Sequence, residues 1–85
     1  MLDVAAIGQI IREERKELGL RQDELAAASG VGLRFLVELE RGKVTVQMGK
    51  VLDVLAALGC ELQIKLTDGI VIAGRADASA KDESK

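Results

Sequence analysis

Glycines divide the first 60 residues of this 85-residue chain into segments of helical length. Gly19, Gly30, Gly42 and Gly59 each stand where an apolar pattern with a helical period ends. Glycine readily takes the left-handed backbone that closes a helix. Proline is absent, and apolar residues make up 48% of the chain with a single aromatic among them. We therefore expect several short helices around an aliphatic core.

The apolar spacing predicts four helices. Asp3 can cap the first, and Gly19 ends it. The second is predicted at about 22–28, the third at about 32–40, and Thr45 can cap the fourth, which ends at Gly59. The predicted core positions recur with a period of 3.6 residues. They are Ile7, Ile10, Ile11, Leu18, Leu25, Ala26, Phe35, Leu36, Leu39, Met48, Val51, Leu52, Leu55 and Leu58.

The pattern changes after Cys60 from a helical period to alternation. Apolar and polar residues alternate over 61–66, Asp68-Gly69 supplies a hairpin-type turn, and a second apolar run covers 70–72. Alternation followed by such a turn is typical of strands. The remaining residues, 75–85, are small, polar and charged, which favours a flexible tail. The predicted organisation is a helical domain at 1–59, a β element at 60–74 and the tail.

The composition excludes several classes of function. Histidine is absent and Cys60 is the single cysteine, so the chain offers no metal site, catalytic dyad or internal disulfide. No glycine-rich phosphate loop follows a strand, and we expect neither an enzyme nor a cofactor. No apolar run approaches the roughly 18 residues of a membrane span. Without a signal-peptide pattern, the sequence predicts a soluble, cytoplasmic protein.

The charge distribution allows a local surface for nucleic acid. The net charge is −2, whereas nucleic-acid-binding domains usually carry a basic balance. Between Arg34 and Lys50, however, four basic residues stand against two acidic ones. A phosphate-facing surface is therefore expected in this part of the chain only.

The segment "LGLRQDELAAASGVGLRFLVELERGK" contains two short helices joined by a tight turn. It resembles the helix-turn-helix of the phage-repressor and Cro family, the XRE family, over about residues 5–60. The matching positions are Gln22, Leu25, Ala26, Gly30, Val31, Leu36, Leu39, Glu40 and Gly42. The resemblance implies an all-α, lambda-repressor-like domain of four to five helices. In this arrangement one helix crosses the DNA backbone and the next enters the major groove.

The resemblance also implies roles for particular residues. The DNA-binding residues would be Gln22, Gly32, Leu33, Arg34, Val37, Glu38, Arg41 and Lys43. Of these, Leu33, Arg34, Val37 and Glu38 would meet base edges, and Gln22, Arg41 and Lys43 would meet the phosphate backbone. Arg34 suits a guanine, the two aliphatic side chains suit thymine methyls, and Glu38 suits either a cytosine amine or a solvated surface charge. Gly32 replaces the serine that usually caps the third helix. Arg15 and Glu40 match a pair that forms an internal salt bridge in similar repressors.

A longer string, "RFLVELERGKVTVQMGKVLDVLAALGCELQI", resembles the HipB type of antitoxin. That resemblance implies a homodimeric autorepressor that binds double-stranded DNA at a palindromic operator and holds a HipA-type kinase toxin inactive. It would reside in the bacterial cytoplasm, at the nucleoid when bound to the operator. The strand that pairs across the dimer would comprise Glu61, Leu62, Gln63, Ile64, Lys65 and Leu66. Two alternatives stay open: a stand-alone XRE-family regulator, and a toxin-neutralising module that mainly binds protein.

Overall fold

The computed structural model describes residues 2–74, which form four helices and a C-terminal hairpin. The elements are α1 (Val4–Glu17), α2 (Gln22–Ser29), α3 (Leu33–Glu40), α4 (Met48–Ala57), β1 (Leu62–Lys65) and β2 (Val71–Gly74). The predicted fold class, all-α with a short C-terminal β element, is confirmed. The predicted tail at 75–85 lies outside the described residues. Among these four helices, none has both the length and the apolarity needed to cross a bilayer.

The helix starts follow local hydrogen bonding. The Asp3 carboxylate accepts from the Ala6 N–H at 2.8 Å, as the sequence predicts for the cap of α1. At α2, the Glu24 carboxylate reaches back to the Arg21 N–H at 2.8 Å. The prediction that Thr45 caps α4 is wrong, because a turn between Val44 and Val46 delays the helix and Gln47 is the residue before its first turn.

Two glycines set the path between the helices. Gly30 has φ +76° and directs the chain from α2 into the turn before α3. Its neighbour Val31 donates to the Ala26 carbonyl at 3.1 Å and is buried, which anchors the turn. Gly42, with φ +87°, follows α3, and a Cβ there would lie 3.1 Å from the Cα of Ala5. The end of α3 is thereby held against the start of α1.

The core is aliphatic and lies between the four helices. Its buried members are Ile11, Leu25, Ala26, Val31, Leu36, Leu39, Val51, Val54, Leu55 and Leu58. Three predicted core residues, Ile10, Leu18 and Met48, are exposed instead. They share the helical period of the core residues, but the packing of the helices leaves them at the surface, with exposed fractions of 45%, 55% and 53%. The inward positions of α1 are Gly8, Ile11 and Arg15.

The hairpin is antiparallel and pairs Leu62 with Gly74, Ile64 with Ile72, and Lys65 with Val71. Its turn is closed by the Leu66 N–H, which donates to the Ile70 carbonyl at 2.7 Å. Paired residues in an antiparallel ladder share a face. One face of the hairpin is thus entirely aliphatic and is called the apolar hairpin face here; it comprises Leu62, Ile64, Leu66, Ile70 and Ile72. All but Leu62 are exposed.

Candidate nucleic-acid interface

Helix α3 divides into an inner and an outer face. Leu36, Leu39 and Glu40 are buried against the body, and Phe35 is half-buried. The outer face carries the four residues that the resemblance assigns to base edges: Leu33, Arg34, Val37 and Glu38. Leu33 is exposed, the Arg34 side chain is 91% exposed, and Val37 and Glu38 are partly covered. The structure therefore brings these four side chains together on a surface that solvent, or DNA, can reach.

A buried ion pair fixes the end of α3 to α1. Arg15 Nε lies 2.8 Å from Glu40 Oε2, and Arg15 Nη2 lies 3.0 Å from Glu40 Oε1. Arg15 Nη1 also donates to the Leu20 carbonyl at 2.8 Å. The hydrogen bond to Glu40 raises the pKa of Arg15, with burial acting in the opposite direction. This two-pronged geometry resists rotation of α3 relative to α1, because planar guanidinium and carboxylate groups must stay aligned.

Gln22 is coupled to the same carboxylate. Its Nε2 donates to Glu40 Oε1 at 3.1 Å. An amide nitrogen carries two hydrogens, so one remains to donate elsewhere. Gln22 lines a shallow hollow of about 350 Å³ whose other walls are Gln9, Arg12, Val37, Glu40 and Arg41. The hollow brings Gln22, Val37 and Arg41 together, and it adds Gln9 and Arg12, two residues of α1 that sequence reasoning missed.

The close contact that brings α1 to this surface is made at Gly8. A Cβ on Gly8 would collide with the backbone carbonyl oxygen of Leu39 in α3. Sequence reasoning also missed this residue. The available signal was a glycine inside an otherwise regular helical pattern, because such a glycine destabilises a helix by about 0.5–1 kcal/mol and usually has a packing reason. Because α1 lies this close to α3 at Gly8, the next turn of α1 places Gln9 and Arg12 beside α3.

Two cations share one carboxylate on the outer face. Glu38 Oε1 lies 3.2 Å from Lys43 Nζ, and Glu38 Oε2 lies 3.4 Å from Arg34 Nε. The hydrogen bond from Lys43 has the largest effect and lowers the pKa of Glu38 below its usual value. Desolvation is the next largest effect and opposes it, and weaker contributions from Arg34 lower the pKa further. Glu38 is therefore charged at neutral pH. The group Arg34, Glu38 and Lys43 is called the outer triad below.

The loop after α3 supplies further positive charge. Arg41 and Lys43 are both exposed in this loop, on either side of Gly42. Lys50, at the start of α4, lies with its Nζ 5.5 Å from the centre of the Phe35 ring, within the range of a cation–π contact.

Gly32 precedes α3 with an extended backbone, and a Cβ there would meet open space. A serine would therefore fit at position 32, and glycine leaves the α3 N-terminus without a side-chain cap.

The predicted dimer strand begins beside α1 and α4. Of its six residues, 62–65 form β1, and Glu61 and Leu66 flank it. Leu62 is half-buried and lines an apolar groove of about 410 Å³ with Ile7, Ile10, Leu55 and others. Cys60 also lines this groove; burial, with a smaller effect of Glu14, raises the pKa of its thiol. One edge of β1 pairs with β2, and within residues 2–74 no strand lies on its other edge.

Comparisons with known proteins agree with this arrangement. A family model described as Helix-turn-helix matches residues 11–65. A protein of Sinorhizobium fredii (strain NBRC 101917 / NGR234), described as an HTH-type transcriptional regulator, is 62% identical over 60 residues, which cover 71% of this chain and 79% of that protein. A protein of Methanothermobacter thermautotrophicus with the same description is 42% identical over 52 residues, 61% of this chain and 75% of that protein.

A phage protein is similar over a shorter stretch. The ImmF control region 10 kDa protein of Bacillus phage phi105 is 40% identical over 43 residues, which cover 51% of this chain and 48% of that protein. The family match runs from the middle of α1 to the end of β1, and so includes the whole helix-turn-helix and the buried pair that orients it. On these grounds the chain belongs to the helix-turn-helix family of the XRE type that its sequence predicts.

Proposed function

We propose that this protein is a sequence-specific DNA-binding transcriptional repressor, with α3 in the major groove and α2 across the phosphate backbone. The observation that carries the proposal is the outer face of α3, which is exposed while its inner end is fixed by the buried Arg15–Glu40 pair. A recognition helix must hold a set angle to the groove. Two relatives described as HTH-type transcriptional regulators support the same function.

The site residues other than Glu38 have the following roles in this proposal. Arg34 donates two hydrogen bonds to a guanine, and Leu33 and Val37 contact thymine methyls. Arg41 and Lys43 contact backbone phosphates, as does main chain near Gly32. Gln22 can donate its second amide hydrogen to a phosphate while the first stays on Glu40. This contact with the DNA backbone therefore needs no rearrangement of the buried Arg15–Glu40 pair.

The proposed repressor is a homodimer joined through residues 60–74, with residues 1–59 as the DNA-binding unit. A two-stranded hairpin is marginally stable by itself in water, and the apolar hairpin face leaves Ile64 and Ile72 more than half exposed, at 56% and 55%. A second copy pairing along the open edge of β1 would extend the sheet and cover aliphatic surface. Two-fold symmetry would place the two recognition helices about 34 Å apart, one turn of DNA.

The finer proposal is that the repressor is the antitoxin of a HipBA-like module. Its support is the string from Arg34 to Ile64, which resembles HipB-type antitoxins. A stand-alone regulator is the alternative, and an adjacent reading frame for a kinase-like toxin distinguishes the two. The exposed apolar hairpin face and the net charge of −2 favour a second candidate, a module that mainly binds a toxin protein. Co-purification of that kinase with the chain, in the absence of DNA, tests it.

The deciding experiment is an electrophoretic mobility shift on the DNA upstream of the protein's own gene. Wild type is compared with an Arg34→Ala/Lys43→Ala double variant at two salt concentrations. We expect tight, salt-sensitive binding by the wild type, because phosphate contacts dominate affinity, and a large loss in the double variant. If a folded wild-type dimer leaves this DNA and a random-sequence pool unshifted, the repressor proposal is wrong.

A further inference from the structure

Glu38 is an acid in the middle of the face that meets DNA in the proposed function. DNA is a polyanion, and a fixed negative charge among the base-reading side chains opposes binding. The carboxylate is not isolated, because its two oxygens hold Lys43 Nζ at 3.2 Å and Arg34 Nε at 3.4 Å. A single carboxylate is thus ion-paired with two of the cations that the proposed function assigns to DNA.

Stability does not account for this arrangement. The side chains of the outer triad are 91%, 30% and 48% exposed for Arg34, Glu38 and Lys43. Ion pairs at such exposure contribute little to folding, because water and salt screen them. The buried end of α3 is already fixed by Glu40. The presence of an acid at position 38 is therefore better explained by what α3 binds than by the stability of the fold.

The geometry of Arg34 supplies that reason. Glu38 occupies the Nε side of the guanidinium, and the two terminal nitrogens carry four further N–H groups. Those nitrogens can donate to guanine O6 and N7 while Nε stays on Glu38. A contact with a backbone phosphate is different. It requires Arg34 either to leave Glu38 or to bring the carboxylate beside the phosphate, where the two negative charges repel.

We propose that Glu38 is a specificity-determining residue that weakens binding to non-cognate DNA by holding Arg34 away from backbone phosphates. The Lys43 ammonium has three N–H donors and can contact a phosphate on any DNA while one of them stays on Glu38. At the operator, Arg34 reads its guanine with the ion pair intact, so the acid costs little there. Non-specific binding relies almost entirely on phosphates, and it loses about one effective cation to the carboxylate. This inference rests on the proposed function and adds a reason for its selectivity.

The test compares Glu38→Gln with Glu17→Gln, which makes the same charge change at an exposed glutamate in the last turn of α1. Binding of each variant and of wild type is measured on the operator fragment and on an unrelated duplex of equal length, from 50 to 200 mM salt. We expect Glu38→Gln to bind the unrelated duplex about tenfold more tightly at 0.1 M salt, with a salt slope steeper by about 0.9. Operator affinity should change less than about threefold, so the specificity ratio falls.

The possible results separate the two proposals. A Glu38→Gln variant that gains equally on both duplexes, or no more than Glu17→Gln does, overturns the role of Glu38. So does a variant that loses operator affinity, because Glu38 would then read a base directly. Wild type that binds neither duplex overturns the proposed function itself, and the role of Glu38 with it. Thermal unfolding of both variants near the wild-type midpoint shows that the comparison is made on folded protein.

Discussion

Two glutamates, two residues apart on α3, have opposite environments. The Glu40 side chain is 3% exposed and accepts hydrogen bonds from Arg15 and Gln22. The Glu38 side chain is 30% exposed and forms ion pairs with two surface cations, Arg34 and Lys43. Because successive helical residues are turned by about 100°, a shift of two positions moves a side chain from the joint between helices to the outer face of α3. The same type of side chain is part of a buried joint at position 40 and of an exposed ion-paired group at position 38, where we propose that it controls selectivity.

The largest expected effect comes from breaking the buried pair. Glu40→Ala should lower the free energy of unfolding by about 3–5 kcal/mol, because it leaves the Arg15 guanidinium buried without its counter-ion. Glu38→Ala, the matched change on the outer face, should leave the urea midpoint near that of wild type. Equal losses from the two variants would contradict the division of α3 into a structural and a binding face.

A second change tests the steric part of the same joint. Gly8→Ala should cost about 1–3 kcal/mol in urea denaturation, since the added methyl group collides with the Leu39 backbone, which cannot move aside. Gly49→Ala in α4 is the control, because a Cβ there meets open space at a helical position. It should be neutral or stabilise by up to about 1 kcal/mol. A tolerated Gly8→Ala would mean that α1 and α3 are packed less closely than described.

The binding face can be divided further with single substitutions. Arg34→Ala should reduce operator binding by about 1–3 kcal/mol and relax preference at one base position. Lys43→Ala should weaken binding to all sequences alike and make the salt slope shallower by about one unit. Fluorescence anisotropy on operators with single base changes distinguishes the two. Unequal losses across operators for Lys43→Ala would count against its assignment to a phosphate.

The smallest expected effect is on pH dependence. Lys43, and to a lesser extent Arg34, lower the pKa of Glu38 below the value of 4.5 that is usual for a glutamate. The stabilisation from this shift is fully present above the unfolded pKa and is lost as the pH falls through the lower folded pKa. The small difference in urea midpoint between wild type and Glu38→Gln should therefore vanish in acid. A difference that stays constant from pH 6 to pH 3 would argue against an ionised pair.

The sequence was most informative where local chemistry decides structure. The glycines that end the helices, the Asp3 cap and the alternation from Leu62 onward all act on neighbouring residues, and the structure has the elements they predict. Thr45 shows the limit of such signals, because a turn between Val44 and Val46 moved the start of α4 two residues further on, to a cap at Gln47. A good capping residue marks a position where a helix can begin, but the conformation of the following residues determines whether the helix begins there.

Contacts between helices were harder to predict. Periodicity placed Ile10 and Ile11 on one side of α1, but the packing of the other helices decides which of them is covered. Gln9 and Arg12 reach the site because Gly8 allows a close approach, and the partner atom of Gly8 is a carbonyl 31 residues away, at Leu39. The Arg15–Glu40 pairing followed from family resemblance. No periodicity within α1 or α3 distinguishes these two charged residues from their exposed neighbours.

The shared carboxylate of Glu40 has a consequence for how this protein can evolve. In the proposed function, the angle of α3, set through Arg15, and the contact of Gln22 with the DNA backbone both depend on the Glu40 carboxylate, which holds both Arg15 and Gln22. A mutation there disturbs both at once, whereas substitutions at Leu33, Arg34 or Val37 leave the frame unchanged. New operator preferences can therefore arise by replacing side chains on the outer face, one at a time, on an inherited and unaltered scaffold.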